Sequence, residues 1–385
     1  MLEKHLTRRD LLLAAAQPLT LLAAPQPLTA RTAFEPALRK YFRTGVERNG
    51  IAGASLSVWS HGETIFEEQV GQQSVEKRQP VSPKTIFHWA SITKTMTGVA
   101  IVQLRDKGSL HLDDPVIRYC PEINMVRNPH GPNLRITLRH LLSHSSGFRA
   151  STWPWDNRPF IPTAPGAWGQ LVATFPETDI NFPPGSRFSY SNLGILFLGR
   201  TIERVSGLPF ARYIAKHIFE PLKMDSSYFD KTPPALLPYR SASYNRNGSS
   251  LGGAVFDYET GVTMSNSGLN APLGDMLLYL ASLGGHGPAV LAPRSLEEMW
   301  RPILPADEGD SMGLCFFVTQ RKGLKMVSHM GDQNGFISRV GLVPAHKTAY
   351  AVAYNTTSSG GGQDTKAFDK QLKEYLIDSV FSSLT

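Results

Sequence analysis

A serine and a lysine three residues apart, Ser91 and Lys94, stand where an apolar run gives way to a stretch with helical spacing. Residues 86–90 lead into the pair, and residues 96–104 continue with apolar side chains at helix-compatible positions. In a helix that begins near Ser91, this spacing places the Lys94 amine on the same face as the Ser91 hydroxyl, one turn away. The chain must therefore start a helix at a serine that carries its own base.

A serine hydroxyl becomes a good nucleophile only when an adjacent base takes its proton. Lysine can do so only when it is neutral, so its ordinary pKa of about 10.4 must be lowered by burial or by nearby positive charge. A second Ser-x-x-Lys, at Ser74 and Lys77, lies in the polar stretch Gln72 to Pro83, which we predict to be a loop with a solvated lysine. The alternative for Ser91 is an ordinary helix cap.

Two further motifs follow in order, Tyr190-Ser191-Asn192 and His329-Met330-Gly331. With these three motifs the chain resembles the serine β-lactamase and penicillin-binding protein superfamily. It is most similar to the branch of class C β-lactamases, DD-peptidases, D-aminopeptidases and family VIII esterases. The resemblance extends to residues 112–115, 136–147 and 190–229, and covers most of the chain after about residue 35.

The resemblance implies roles for the residues of the first two motifs. Ser91 takes the place of the nucleophile and Lys94 that of its activating amine. Tyr190 takes the place of the acid and base that carries the proton to the leaving group. Asn192 takes the place of a hydrogen-bonding partner for Lys94 and the substrate. The residues leave open whether Lys94 or Tyr190 is the microscopic base, because the pair titrates as one coupled system.

The third motif falls on the strand where many relatives have Lys-Thr-Gly. The resemblance therefore places His329 and Gly331 beside the substrate. It also implies that the backbone N–H groups of Asp332 and Ser91 surround the developing oxyanion, and each such donor contributes about 2.7 to 4 kcal/mol. Relatives that bind a free carboxylate place hydroxyls and a cation here, whereas this chain has Met330 and an acidic Asp332.

These departures favour a carboxylesterase, or an amidase that acts on neutral or cationic substrates. The alternative is that Asp332 points away from the site and decides nothing. A DD-carboxypeptidase, a D-aminopeptidase, a β-lactamase and a transacylase remain as alternatives, and so does a penicillin-binding sensor that stays acylated. The expected substrate is a small-molecule ester or amide, or a peptide derived from peptidoglycan.

Other motifs carry weaker signals. Ser250 lies in a Gly-x-Ser-x-Gly sequence without the strand and helix that a nucleophile elbow needs, and reads as a loop. His144 could be read as a triad histidine, but the resemblance implies a structural role for it, at a helix end that packs beneath the site. Trp153 and Trp155 line an acyl pocket or simply pack a loop. The stretch 359–362 reads as a flexible connection rather than a phosphate cradle.

We expect no cofactor and no metal, because the histidines are scattered and no zinc-binding spacing occurs. Cys120 and Cys315 are the only cysteines, and we expect two free thiols. A net charge of +7 without a lysine or arginine run is not typical of nucleic-acid binding.

Residues 1–30 resemble a twin-arginine export signal, with Arg8 and Arg9 before an apolar run through Ala24 and small residues near Ala30. The run is too short and too broken by proline to span a membrane. A periplasmic or secreted location follows, with a cytoplasmic one as the alternative.

The expected fold class is α+β, an antiparallel sheet flanked by helices plus a mostly helical lobe. Residues 31–385 form the hydrolase domain, with an α/β lobe at about 34–90 and 313–385 and a helical lobe at about 91–312. Strands are predicted at 54–59, 64–70, 313–320, 326–330, 338–342 and 349–354. Helices are predicted at 34–48, 93–107, 137–143, 193–205, 210–218, 274–283 and 366–380. The two chain ends are expected to share one sheet.

Overall fold

A computed structural model describes residues 28–149, 166–245, 247–251, 261–357 and 364–384. Within them the protein is an α+β structure, as predicted, with a large antiparallel sheet and helices packed on it. Most of the predicted export signal, Trp153, Trp155 and residues 359–362 lie outside the described residues. No helix in the described residues is long and apolar enough to cross a membrane.

Twelve strands occur in the described residues. They are β1 Gly53–Ser60, β2 Glu63–Ser74, β3 Gln79–Pro80, β4 Ile86–His88, β5 Tyr228–Phe229, β6 Leu269–Pro272, β7 Leu304–Pro305, β8 Ser311–Met312, β9 Phe317–Arg321, β10 Leu324–Gln333, β11 Phe336–Val343 and β12 Thr348–Tyr354. Nine form one sheet in the order β3-β2-β1-β12-β11-β10-β9-β8-β7, and β4-β6-β5 form a small second sheet. Because β1 pairs antiparallel with β12, the two chain ends share the large sheet, as predicted.

Eleven α-helices occur in the described residues; seven lie on predicted segments, and four short ones of three to seven residues were not predicted. The eleven helices are α1 Leu28–Arg48, α2 Thr93–Asp106, α3 Leu138–Leu142, α4 Gly166–Val172, α5 Asn192–Ser206, α6 Phe210–Ile214, α7 Glu220–Leu222, α8 Met264–Ser267, α9 Leu273–Leu283, α10 Pro293–Met299 and α11 Thr365–Tyr375. A π-helical turn, Ala215–Phe219, joins α6 to α7, so the helix predicted at 210–218 changes its hydrogen-bonding pattern partway. A second π-helical turn, Leu376–Val380, extends α11.

The large sheet separates two hydrophobic clusters. On one face α1 and α11 cover β1 and β12, with Leu38, Phe42 and Leu372 fully buried among the contacts. On the other face α2, α5 and α9 pack together, and every residue of α2 from Thr93 to Leu104 is buried. A helix buried all around its circumference forms the centre of the second cluster. The division into two lobes stays a prediction.

Two local predictions were wrong. β2 continues to Ser74 and pairs with β3, so the stretch from Gln72 to Pro83 is not a loop throughout. The sequence did not indicate this end of the strand because its residues are polar. Gln73 is nevertheless buried, and its side chain accepts a hydrogen bond from the Thr85 hydroxyl. The strand expected from residue 313 begins only at Phe317, because Cys315 has φ +60° and interrupts the extended backbone.

A buried ion pair holds α11 against the sheet. Arg339 of β11 donates from Nε to Asp369 Oδ2 of α11 at 2.6 Å, and the Asp369 side chain is fully buried. Arg339 Nη2 also lies 3.8 Å from the sulfur of Met330 on β10. The pair therefore lies directly behind the strand that carries His329-Met330-Gly331.

Removing one partner of this pair should be costly. Asp369→Ala leaves the Arg339 charge buried without a partner, and we expect the free energy of unfolding to fall by about 3 to 5 kcal/mol. Urea unfolding measures the change. Asp378→Ala, which breaks the surface pair with Arg321, is the control and should cost at most about 1 kcal/mol. Equal small effects of both changes would contradict the account.

Candidate active site

Ser91 and Lys94 meet at the start of α2. Ser91 lies in a single 3-10 turn, Ala90–Ile92, that runs directly into the helix. The Lys94 Nζ lies 2.8 Å from Ser91 Oγ and 2.9 Å from the main-chain oxygen of Asn266. Ser91 is partly exposed, whereas Lys94 is fully buried. Ser91 does not cap α2, so the alternative of an ordinary helix cap does not describe this turn.

Burial changes the protonation of Lys94. Removing the ammonium from water lowers the pKa of Lys94 from its ordinary value to about 7. The nearby thiol of Cys315 acts in the opposite direction, and burial raises the pKa of that thiol to about 12. Cys120 and Cys315 are both free, as predicted, and both are buried. A large fraction of Lys94 is therefore neutral at physiological pH.

The backbone before Ser91 is strained and tied to the sheet. Ala90 has φ +47°, a conformation that costs a residue with a Cβ free energy. The neighbouring Trp89 carbonyl accepts a hydrogen bond from the Ser338 hydroxyl of β11 at 3.0 Å. A Cβ on Gly331 would lie 2.3 Å from the same carbonyl oxygen, so only glycine lets β10 approach the Ser91 turn this closely.

Tyr190 lies beside the pair, half-buried, in the segment that precedes α5. Lys94 Nζ is 5.0 Å from the centre of the Tyr190 ring. Burial raises the pKa of the Tyr190 phenol well above its ordinary range, and a hydrogen bond with the Ser91 hydroxyl only partly offsets this. The phenol is therefore protonated at neutral pH.

Asn192, the first residue of α5, reaches the lysine indirectly. Its Oδ1 accepts a hydrogen bond from Asn266 Nδ2 at 3.2 Å, and it is the main-chain oxygen of Asn266 that accepts from Lys94. Asn266 is thus a site residue that the motifs did not reveal. A contact made through a main-chain carbonyl leaves no side-chain signal in the sequence.

His329 is a neutral imidazole in the described site. Its Nδ1 lies 2.7 Å from the Met330 carbonyl oxygen, which can only accept, so Nδ1 carries the proton and Nε2 carries a lone pair. Burial, helped by the Lys94 charge, lowers the pKa of His329 to about 3. Nε2 is buried and has no hydrogen-bonding partner among the described residues.

The side chains along β10 alternate between the two faces of the sheet. His329 and Gly331 lie on the face of α2, where Gly331 pairs with Ser338. Met330 and Asp332 lie on the opposite face, where Met330 contacts Arg339 and the Asp332 carboxylate forms an ion pair with Lys366 of α11. The Asp332 side chain therefore points away from Ser91, and its charge does not argue against anionic substrates.

His144 holds the Tyr190 segment in place. The His144 carbonyl accepts from the Ser189 N–H at 2.8 Å, and its Nδ1 accepts from the Ser191 N–H at 3.1 Å. The imidazole stacks on the Tyr190 ring with the centres 4.4 Å apart. Burial lowers the pKa of His144 well below its ordinary value, so the ring is neutral. It supports Tyr190 and does not contact Ser91 as a triad histidine would.

The competing serine motifs lie elsewhere. Lys77 is exposed, and the Ser74 hydroxyl accepts from the Lys77 backbone N–H at 3.3 Å rather than from its amine. Ser250 follows a turn and bridges Tyr244 in irregular structure. No group of three His, Cys, Asp or Glu side chains is arranged for metal binding in the part of the chain that the structure describes.

Residues 38–373 match the model of the Beta-lactamase family. The chain belongs to that family.

Two relatives match part of this chain. Protein flp of Staphylococcus aureus strain MW2 is 30% identical over 187 residues, which span 49% of this chain and 36% of the staphylococcal protein. Beta-lactamase-like protein 2 of Dictyostelium discoideum is 26% identical over 328 residues, 80% of this chain and 58% of that protein. The chain thus spans little more than a third of the staphylococcal protein's length.

Two solved structures have a similar fold. The octameric penicillin-binding protein homologue from Pyrococcus abyssi superposes with a TM-score of 0.75 at 25% identity, over 90% of this chain and 77% of that one. A class C β-lactamase superposes with a TM-score of 0.76 at 19% identity, over 93% and 98% of the chains. The similarity to the class C β-lactamase, at 19% identity, concerns the fold alone.

The His144 contacts predict a stability effect. His144→Phe keeps a ring against Tyr190 but removes the acceptor of the buried Ser191 N–H, and should lower the free energy of unfolding by about 1 to 3 kcal/mol. His144→Asn keeps a short acceptor and should lose less. Urea unfolding measures both, with exposed His111→Phe as a control that should change by less than about 0.5 kcal/mol. Equal values for His144→Phe and the control would contradict the role of His144 in holding the Tyr190 segment.

Proposed function

We propose that the protein is a cofactor-free serine acyl-hydrolase that forms an acyl-enzyme on Ser91 and releases it to water. One observation carries the proposal. The fully buried Lys94 amine, with its pKa lowered to about 7, lies 2.8 Å from the partly exposed Ser91 hydroxyl. A nucleophile within hydrogen-bonding distance of a base that is neutral at working pH is what acyl transfer needs.

Acylation begins with Lys94 as the base. A neutral amine can donate to the Asn266 carbonyl while its lone pair accepts the Ser91 proton. As that proton moves to Nζ, Oγ attacks the substrate carbonyl carbon and the carbonyl oxygen becomes an oxyanion. We assign the oxyanion to the backbone N–H groups of Ser91 and Asp332, by the strand position that Asp332 shares with relatives.

Collapse of the tetrahedral intermediate needs an acid. Tyr190 is protonated at neutral pH and lies beside both Ser91 and Lys94, so it donates its proton to the leaving oxygen or nitrogen as the bond to the carbonyl carbon breaks. The proton on Lys94 then returns to the Tyr190 phenolate. In deacylation a water molecule takes the place of the leaving group, and the same proton transfers run in reverse to regenerate Ser91.

The site favours an ester, or an amide without a carboxylate on the leaving side. Relatives bind such a carboxylate with the lysine of Lys-Thr-Gly, whereas His329 is neutral here because burial lowers its pKa to about 3. The neutral His329 disfavours a substrate carboxylate here, whereas the Asp332 charge is directed to the opposite face of the sheet. Carboxylesterase activity is therefore the first choice, ahead of a DD-carboxypeptidase or an efficient β-lactamase.

We further propose that the protein is exported to the periplasm or secreted. The support is the Arg8-Arg9 pair followed by an apolar run, a pattern typical of twin-arginine signals. A cell-envelope ester, amide or peptide would then be within reach of the site.

Turnover of two chromogenic substrates tests the proposed function. We expect p-nitrophenyl butyrate to be hydrolysed with continued release after the first equivalent, and a chromogenic cephalosporin to be hydrolysed much more slowly. Ser91→Ala should lower kcat for the ester by at least about 10³-fold, because the nucleophile is lost. Ser74→Ala, the matching change in the second Ser-x-x-Lys, is the control and should retain turnover.

Several outcomes would change the assignment. Undiminished hydrolysis by Ser91→Ala would remove the proposed nucleophile. Rapid cephalosporin turnover would make the protein a β-lactamase. Release of a single equivalent with a stable adduct on Ser91, found by mass spectrometry, would make it a sensor.

A further inference from the structure

Five aromatic side chains form a closed ring of contacts beside the Ser91 site. His144 stacks on Tyr190 with the ring centres 4.4 Å apart, and Tyr190 lies 6.2 Å from His329. Phe317 lies 5.4 Å from His329 and 6.1 Å from Phe188, and Phe188 lies 6.1 Å from His144, which closes the ring. The proposed acid, Tyr190, is thus one member of a continuous aromatic surface.

Phe188 and Phe317 take no part in the proposed proton transfers, and each keeps part of its surface accessible. Phe188 and Phe317 are half-buried, whereas His144 and His329 are almost fully buried behind them. Phe188 precedes Tyr190 by two residues in non-helical backbone, where side chains two apart tend to share a side. Phe317 is the first residue of β9 and lies opposite Ser328, the neighbour of His329.

None of the five side chains carries a formal charge near neutral pH. Burial lowers the pKa of both histidines and raises that of the Tyr190 phenol. The charged neighbours in sequence are directed elsewhere. Arg187 lies 4.5 Å over the Phe182 ring, and Asp332 pairs with Lys366 on the opposite face of the sheet.

We propose that Phe188 and Phe317 form a leaving-group subsite that accepts an uncharged apolar or aromatic alcohol. The inference rests on the proposed function and names the substrate class of the same site. The leaving oxygen receives its proton from Tyr190 as its bond to the acyl carbon breaks, so the departing alcohol lies next to Tyr190. Phe188 and Phe317 are connected to Tyr190 through His144 and His329, and they are the half-buried rings of this aromatic surface next to Tyr190. Two accessible phenyl rings provide apolar contact and edge or face stacking for such a group.

The test uses acetate esters that share one acyl group and differ in the leaving group. The pair is 4-(methoxycarbonyl)phenyl acetate, which is neutral, and 4-carboxyphenyl acetate, which is anionic. Each kcat/KM is divided by the ester's rate of hydrolysis by hydroxide, which removes differences in intrinsic reactivity. The variants are Phe188→Ala, Phe317→Ala and Phe317→Lys. Phe229→Ala, at a half-buried phenylalanine that stacks on Phe219, is the control.

The wild-type protein should prefer the neutral ester by about 10-fold or more. Each alanine variant should lose about 10-fold in kcat/KM for the neutral ester, the size expected for loss of one aromatic contact with its buried area. Phe317→Lys should raise the ratio of anionic to neutral turnover. Phe229→Ala should leave the ratio unchanged. Breakdown of the common acetyl-enzyme should stay the same in the variants, because the leaving group has departed by then.

The subsite is overturned if the alanine variants leave the neutral-to-anionic ratio at its wild-type value. A second series, of p-nitrophenyl esters, keeps the leaving group constant and varies the acyl chain. The subsite is also overturned if the loss of kcat/KM in the variants changes with the acyl chain and not with the leaving group. Labelling of Ser91 by a fluorophosphonate separates these failures from a failure of the proposed function. A labelled Ser91 with unchanged preference removes only the subsite, whereas an unlabelled Ser91 removes the hydrolase assignment as well. The labelled fraction also counts folded enzyme in each variant.

Discussion

The arrangement of the whole site depends on one buried amine. Lys94 lies inside α2, whose surface is enclosed by α5, α8 and the nucleophile turn, and so loses the solvation that would keep it charged. Among the described residues the amine has two hydrogen-bonding neighbours, the Ser91 hydroxyl and the Asn266 carbonyl. Loss of solvation destabilises the charged ammonium relative to the neutral amine, and the neutral amine can then act as a base.

Contacts through the backbone fix the positions of Ser91 on one side of the site and of Tyr190 on the other. The Ser338 hydroxyl bonds the Trp89 carbonyl, and Gly331 leaves room for that carbonyl to approach β10. On the other side His144 bonds the backbone at Ser189 and Ser191 and supports the Tyr190 ring. The positions of Ser91 and Tyr190 are therefore set by neighbours that take no part in the proposed proton transfers.

The sequence predicted the parts of the fold and site that depend on periodicity and on side-chain type. Helical spacing located α2 and α5 within about a residue, and alternation located β10 to β12. It did not reveal Asn266, which acts through its carbonyl, or the interruption at Cys315, which is a backbone conformation. The sequence also did not show which way the Asp332 side chain points. Its direction depends on the register of β10 and on the ion pair with Lys366, which lies 34 residues further along the chain. Contacts between distant segments are set by tertiary packing, and a local pattern does not encode them.

The most direct test of the account is the pH dependence of the acylation rate. Stopped-flow measurement of the first turnover of p-nitrophenyl butyrate gives this rate, with the Ser91→Ala protein as the background. Below a pH of about 7 the amine is protonated and cannot accept the Ser91 proton, and above it the amine is neutral. The rate should therefore rise with pH, with an apparent pKa of about 7, and level off above it. A rate that keeps rising toward the ordinary lysine pKa of about 10.4, or one that Lys94→Ala leaves unchanged, would contradict the central claim.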